Sequence, residues 1–229
     1  LMTAAVMKDF GATVIVKEAE ISVAPGGYAP CRFVVEPDYS SAAFPLVAVA
    51  VREGSVQVPG LSSTSLQGDA EITNLLEAMG CSVRTVAGSV EVSRGNAQLH
   101  GIDVNMADCS DLVPAMAVAM LFADSPSRIT GVGFIRHKES DRIGDLVDGL
   151  VSLGCDVTEE QDGLLIRPVA VENLVGTMLK THDDHRLAMA WSLVALRVSG
   201  IVLDEPNVIS KSWPEWWEVR SSLLATSGH

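Results

Sequence analysis

Between Arg136 and Arg142 the chain reads RHKESDR, six ionisable side chains in seven positions. The run follows an apolar, glycine-containing stretch (ITGVGFI) and precedes an amphipathic one (IGDLVDGLVSLG). A solvated turn has no need of so dense a mixture of charge. A Lys, a Glu and two Arg at the mouth of a helix are the parts of a site that clamps an anion and moves a proton. Backbone N–H groups at a helix start add to the attraction for anions. The bland alternative is a surface ion-pair network in which Glu139 and Asp141 answer the cations.

Three further positions carry the same kind of residue. DDHRLAM (183–189) puts Arg186 in the first turn of an apolar helix beginning after Thr181. A guanidinium there is costly unless it is paired with Asp183 or Asp184, or turned toward a ligand. SKSWPEWWE (210–218) puts Lys211 after a strand-like run and before a Pro-started helix, where an ordinary exposed lysine is the alternative. The tryptophans of that stretch, Trp213, Trp216 and Trp217, are expected to pack a helix rather than to stack on bases. Asp111 opens another apolar helix, a place where a capping carboxylate is common.

Composition sets these residues in relief. The 229 residues include 16 Lys and Arg against 29 Asp and Glu, a net charge of −13. That balance argues against a nucleic-acid partner, because phosphate backbones are bound by clustered cations. It leaves room for a small anionic substrate wherever several cations converge. The longest apolar run, VPAMAVAMLFA from Val113, has 11 residues, whereas a membrane span needs roughly 20. LMTAAVMKDF lacks the basic start and small-residue cleavage site of a signal peptide, so a soluble, cytoplasmic chain is expected. The cysteines (Cys31, Cys81, Cys109, Cys155) are scattered, with no CxxC and no His at ligand spacing. Buried reduced thiols are expected, with neither metal nor disulfide. Position 1 is Leu, which suggests a piece of something longer.

The elements that must position the charged stretches repeat. A first segment runs RFVVE (strand), SSAAFPLVAVAVRE (helix), GSVQVPG (strand), GDAEITNLLEAMG (helix), then SVRTVAG and SVEVSR as a hairpin. A second runs IDVNM, DLVPAMAVAMLFA, SRITGVG, DRIGDLVDGLVSLG, CDVTEEQ and GLLIRPV in the same βαβαββ order. A third runs GTMLKT, DDHRLAMAWSLVALRV, GIVLDE and PEWWEVRSSLL, and lacks its strand pair. The first helix of each unit is apolar nearly all round and must be buried; the second is amphipathic. Gly80 and Gly154 stand just past helix ends, where a left-handed residue closes the last turn. The expected fold is α/β (α+β), three βαβαββ units with buried helices inside and sheets outside, an inside-out α/β barrel. Residues 1–37 read as the tail of a neighbouring domain, and 38–229 as a domain whose third repeat is incomplete, with the joint at Pro37-Asp38.

Taken with HKESDR (137–142), DDHRLAM and SKSWPEWWE, this repeat resembles the 5-enolpyruvylshikimate 3-phosphate synthase family, the shikimate-pathway enzymes that glyphosate inhibits. VMKDFG (6–11), EPDYSSAAF (36–44), GLSSTSLQGD (60–69) and SDLVPAMAVAMLFA (110–123) extend the likeness along the whole chain. Family members are about twice this length, and the likeness is to their C-terminal half. The resemblance implies transfer of the carboxyvinyl group of phosphoenolpyruvate to the 5-hydroxyl of shikimate 3-phosphate, with no metal or organic cofactor. The hydroxyl adds to C2 while C3 is protonated, and the tetrahedral ketal phosphate then loses phosphate.

By that resemblance Glu139 protonates C3, Lys138 touches the reacting centre and the shikimate side, and Arg142 holds phosphoenolpyruvate. Arg186 clamps its carboxylate, Lys211 contacts its phosphate and His185 shapes the pocket. Asp111 binds the shikimate hydroxyls and takes the 5-hydroxyl proton. Asp141 is left as a helix cap or an orienter of Arg142. Phe134 stands where many members have an Asn that touches the sugar-like substrate, and His137 where an aliphatic residue is more usual. The family's shikimate-phosphate site falls before residue 1, so the chain alone is expected to be inactive. Two other readings stay open: the sister enzyme acting on UDP-N-acetylglucosamine, and a non-catalytic module that binds anions or assembles with a partner.

Overall fold

The structure, a computed structural model, describes residues 1–86 and 88–225. It opens with α1 (Met2–Asp9) and a short hairpin of β1 (Val14–Val16) and β2 (Ile21–Val23). Residues 24–38 then run without regular structure to α2 (Tyr39–Val51). The Asp38 side chain caps α2 by accepting from the Ser40 and Ser41 N–H groups.

Two units follow in the expected order. β3 (Gly54–Pro59), α3 (Ile72–Ala78) and the hairpin β4 (Ser82–Val86) and β5 (Ser89–Arg94) complete the first. β6 (Asp103–Asn105), α4 (Val113–Leu121), β7 (Ser127–Thr130), α5 (Arg142–Ser152), β8 (Asp156–Glu160) and β9 (Gly163–Arg167) make the second. The third has β10 (Met178–Leu179), α6 (His185–Val194), β11 (Val202–Leu203) and α7 (Trp216–Ala225). The sheet orders are β3-β5-β4, β6-β7-β9-β8 and β10-β11. In the second sheet β6 and β7 are parallel, whereas β7–β9 and β8–β9 are antiparallel.

The core lies where the all-round apolar helices required it. α2, α4 and α6 pack on one another, and every residue of α4 is buried. The sheets close around them, with Val90, Val92, Leu164 and Ile166 facing inward from the hairpins. α5 instead shows one buried stripe, Ile143, Leu146, Val147 and Leu150, at helical spacing. Gly80 and Gly154 adopt φ of +100° and +90°, as the left-handed residue past a helix end requires. Trp216 is fully buried, edge-on to Phe44, and its Nε1–H donates to Ser192 Oγ at 2.9 Å. It is a packing residue.

Two expectations need correction. RFVVE (32–36) forms no strand, and Val34 and Val35 are 77% and 79% exposed. Its β-branched residues favour a strand, but that preference is realised only against a neighbouring edge. Here the segment instead spans from the β1–β2 hairpin to α2. Cys81, Cys109 and Cys155 are buried free thiols, but Cys31, in the same extended segment, is exposed. Burial pushes the Cys155 thiol up to about 12, which makes it inert at neutral pH.

α5 reaches the core through a glycine. A Cβ built at Gly149 would stand 2.5 Å from Cζ2 of the fully buried Trp191. Helix propensity alone makes Gly→Ala favourable by about 1 kcal/mol; overpacking reverses the sign. We expect Gly149→Ala to lower unfolding free energy by about 1–3 kcal/mol in chemical denaturation. Unchanged or raised stability would contradict this packing.

Candidate active site

The site is built at the starts of helices. After β7 the chain makes a 3₁₀ turn (Gly133–His137), reverses through Lys138–Asp141 and enters α5 at Arg142. Asp141 caps α5 by accepting from the Gly144 N–H at 3.0 Å, and both its oxygens accept from Arg136. Arg136 also pairs with Glu159 at 2.7 Å and donates to the Glu160 carbonyl. Two of the six ionisable side chains of RHKESDR, Arg136 and Asp141, are therefore structural. Asp141 is thus the helix cap that the sequence offered, and the chain's own carboxylate rather than an outside anion meets the start of α5.

The second helix start is α6. His182 and Asp183 hold φ of +50° and +56°, a left-handed turn that non-glycine residues adopt only at a cost. That turn brings Asp184, 0% exposed, to the α6 N-cap, where it accepts from the Arg186 N–H at 2.8 Å. The same carboxylate receives Arg142 Nε at 2.7 Å and Arg142 Nη2 at 3.5 Å. Arg142 is itself 3% exposed, and its Nη1 donates to Asp111 Oδ1 at 2.9 Å. Burial alone would lower the Arg142 pKa, but Asp184 and Asp111 outweigh it, so the guanidinium stays charged.

Asp111 lies just ahead of α4, inside the 3₁₀ turn Ala107–Leu112. Lys138 Nζ donates to it at 2.6 Å and to Ser110 Oγ at 3.1 Å. Arg186 Nη2 stands 3.1 Å from its other oxygen. Burial raises the Asp111 pKa; the Lys138 hydrogen bond and the charges of Arg186, Lys138 and Arg142 more than reverse it. The carboxyl is held below the usual carboxylate range.

Glu139 forms the other carboxylate of the cleft, about a third exposed. Lys211 Nζ and His185 Nδ1 each lie 3.2 Å from it, and Arg142 Nη2 lies at 3.6 Å. The His185 contact is off the line of a hydrogen bond, which leaves a buried Nδ1 unsatisfied. Burial pushes the His185 pKa down, Glu139 pulls it up, Arg186 and Lys211 push it down again, and the net direction is down. Asp111, His137, Lys138, Glu139, Arg142, His185 and Arg186 line an open cleft of about 360 Å³.

All seven residues singled out from the sequence therefore meet: Asp111, Lys138, Glu139, Arg142, His185, Arg186 and Lys211. Glu139, Asp184 and His185 come close enough to surround a metal ion. Arg142 and Lys211 already occupy those carboxylates, so the donor set suits an anion better than a divalent cation. Sequence reasoning missed Asp184 as the partner of Arg142. It also passed over Asp69, which accepts from Ser40 at the start of α2 and feels the charges of Asp111 and Arg186. The signal for Asp184 was its place immediately before HR, where an N-cap is expected; its complete burial had no signal.

A family described as EPSP synthase (3-phosphoshikimate 1-carboxyvinyltransferase) matches residues 1–219. A 3-phosphoshikimate 1-carboxyvinyltransferase of Methanosphaerula palustris is 38% identical over 228 residues, 99% of this chain and 52% of that protein. One from Nostoc punctiforme is 39% identical over 218 residues, covering 94% and 50%. The chain thus spans about half the length of the relatives it matches. Among solved structures, the EPSP synthase of Acinetobacter baumannii superposes with a TM-score of 0.81 at 29% identity, over 95% of this chain and 53% of that one. The enolpyruvyl transferase NikO of Streptomyces tendae, at 20% identity and a TM-score of 0.74, shares the fold.

Two outcomes follow from this geometry. Asp184→Asn keeps a capping oxygen but removes the buried charge that answers Arg142, leaving it the more exposed Asp111 and Glu139, and should cost roughly 3 kcal/mol of unfolding free energy. A loss within error of zero would mean that the pair is not what holds Arg142. The His185 imidazole should titrate below its ordinary value of 6.5 when followed by NMR. A group whose folded pKa lies below its unfolded one costs stability as pH falls through the unfolded value. His185→Gln should therefore flatten the stability profile just below that pH. A midpoint at or above the ordinary value would contradict the burial argument.

Proposed function

The chain belongs to the EPSP synthase (3-phosphoshikimate 1-carboxyvinyltransferase) family, and on that premise we propose that it carries the phosphoenolpyruvate side of an active site whose remainder lies in the part of the protein it does not span. The full reaction transfers the carboxyvinyl group of phosphoenolpyruvate to the 5-hydroxyl of shikimate 3-phosphate and releases phosphate. One observation carries the reading. Lys138, Arg142, Arg186 and Lys211 converge on one cleft in a chain of net charge −13, with two partly exposed carboxylates among them.

Phosphoenolpyruvate brings a carboxylate and a phosphate, and the cleft offers two planar guanidinium groups and two ammonium groups. Arg186 and Arg142 take the carboxylate end, and Lys211 the phosphate. Each of these cations now faces Asp111 or Glu139, so an entering anion replaces a carboxylate contact rather than creating charge contact from nothing. Arg142 keeps Asp184 throughout, which fixes the clamp before the substrate arrives.

The proton steps divide between the two carboxyl groups. Asp111, held ionised and touched by Lys138, accepts the proton of the attacking 5-hydroxyl as its oxygen adds to C2. Glu139, between Lys211 and His185, delivers a proton to C3, giving the tetrahedral ketal phosphate. Breaking the C2–O bond releases phosphate, which takes the proton held by Asp111, while a C3 proton returns to Glu139; both carboxyl groups are then back in their starting states. His185, kept neutral, sets the wall behind Glu139 without adding another positive charge. Half a cleft neither excludes water nor holds the second substrate. We assign residues 1–37 to a neighbouring domain and 38–229 to the one that carries these groups.

Phosphate release from phosphoenolpyruvate and shikimate 3-phosphate tests the reading, with the chain alone and with the complementary part of the protein added. Silence alone and turnover on mixing is expected; turnover by the chain alone would contradict the split site. In the mixed enzyme, Glu139→Gln should lower kcat by about 10²–10⁴-fold with little change in KM. Arg186→Lys should act mainly through the KM for phosphoenolpyruvate. A mixed enzyme in which Glu139→Gln turns over normally would remove Glu139 from the chemistry.

A further inference from the structure

The three buried helices bring charge together at both of their ends. Their starts converge on the cleft described above, and their ends on a second groove at the opposite pole. Val51 and Arg52 line it from the end of α2, Phe122 from past α4, and Leu196 and Arg197 from past α6, with Arg94 from the end of β5. Its volume is about 500 Å³, against about 360 Å³ for the first cleft. The length of α4 or α2, roughly 14–20 Å, lies between the two. An annexe of about 270 Å³ adjoins the groove, sharing Gln98, Phe122 and Arg197 with it and adding Pro168, Val169 and Val171.

Cations at helix ends need no ligand in themselves, because the last carbonyls carry partial negative charge. That accounts for Arg94. Its Nε–H donates to the Val49 carbonyl at 3.3 Å, and its Nη1–H to the Ala97 carbonyl at 2.8 Å. It does not account for the other two. Among the described residues the side chains of Arg52 and Arg197 make no hydrogen bond and no ion pair. The Arg197 guanidinium lies over the Phe122 ring, 4.9 Å from its centroid. Partial burial and the nearby charge of Arg94 push the Arg197 pKa down, and Glu53 pulls it only part of the way back. In the first cleft every cation faces a carboxylate, whereas here three guanidinium groups share Glu53 alone among the lining residues.

We propose that this groove is a second anion site, built for a phosphate monoester whose ester group is apolar. Three guanidinium groups and one carboxylate leave a net charge of about +2, the complement of a phosphate dianion rather than of a single carboxylate. Arg52 and Arg197 bring uncommitted donors. Arg94, already held by two carbonyls, brings its Nη2 in a fixed position. A tetrahedral oxyanion has an oxygen for each of them, whereas a planar carboxylate has two in all. The apolar group rests on Phe122 and enters the annexe against Pro168, Val169 and Val171. Binding also relieves the repulsion between Arg94 and Arg197. None of the residues lining the first cleft takes part, so the site stands or falls separately from the reaction proposed there.

The probe is phenyl phosphate, titrated into the chain while the arginine side-chain N–H groups and the Phe122 ring are followed by NMR. Saturable shifts are expected at Arg52, Arg94, Arg197 and Phe122. Read at those residues, phenyl phosphate should bind roughly tenfold tighter than inorganic phosphate, as burial of the phenyl group adds to the affinity. It should also bind several-fold tighter than benzoate, which carries a single charge. Arg197→Gln should weaken it by about tenfold or more, whereas Arg186→Gln, at the other pole, should leave it within about twofold. Should Arg197→Gln fail to fold, Arg52→Gln takes its place, since that side chain has no hydrogen bond or ion pair to lose. No saturable shift at Arg197 and Phe122, shifts confined to Arg142, Arg186 and Lys211, or binding undiminished in Arg52→Gln and Arg197→Gln would each overturn the proposal. Equal affinity for benzoate would overturn its phosphate chemistry, and equal affinity for inorganic phosphate the role of the annexe.

Discussion

A buried ion pair between Arg142 and Asp184 sets the geometry on which the rest of the site depends. A guanidinium at 3% exposure and a carboxylate at 0% lie 2.7 Å apart. Removing both from water is expensive, and such a pair is tolerable only when its remaining donors and acceptors are satisfied. Here they are. Asp184 also accepts from the Arg186 N–H, and Arg142 spends a further donor on Asp111. One carboxylate thereby ties the start of α5 to the start of α6, and one guanidinium ties both to the approach of α4. The HKESDR and DDHR stretches, 41 positions apart at Arg142 and Asp183, become one rigid surface.

Around this fixed centre sits a softer ring. Lys138, Arg186 and Lys211 hold Asp111 and Glu139, all of them more exposed than Arg142. Exposed pairs contribute little to stability and exchange partners readily. Such an arrangement suits a clamp for a small polyanion. The inner pair keeps the cations in place when the cleft is empty, and the outer carboxylates yield to a ligand. Charge gathered this way also stands out because the chain as a whole is strongly acidic.

Most of this was legible before any coordinates. The all-round apolar composition of α4 and α6 dictated their burial, and the 3.6-residue stripe of α5 dictated its surface position. The charged stretches and the acid ahead of α4 supplied the seven residues that meet at the cleft, but not Asp184 or Asp69 beside them. What escaped were consequences of tertiary placement. RFVVE has the residues of a strand, but no edge receives it. Asp141 and Asp184 read alike, as acids ahead of a helix. One caps α5 on the surface and answers Arg136, whereas the other is buried and answers Arg142. Only packing separates those roles.

The most direct measurement is an NMR titration of the arginine and lysine side chains with phosphoenolpyruvate, reading each N–H group separately. An anion site built on the Arg142–Asp184 lock predicts that Arg186 and Lys211 respond as their contacts to Asp111 and Glu139 are replaced. Arg142 Nε–H, held by Asp184, should stay where it is and remain slow to exchange with water. Arg142 Nε–H moving with the others, or Arg186 and Lys211 staying silent, would contradict it.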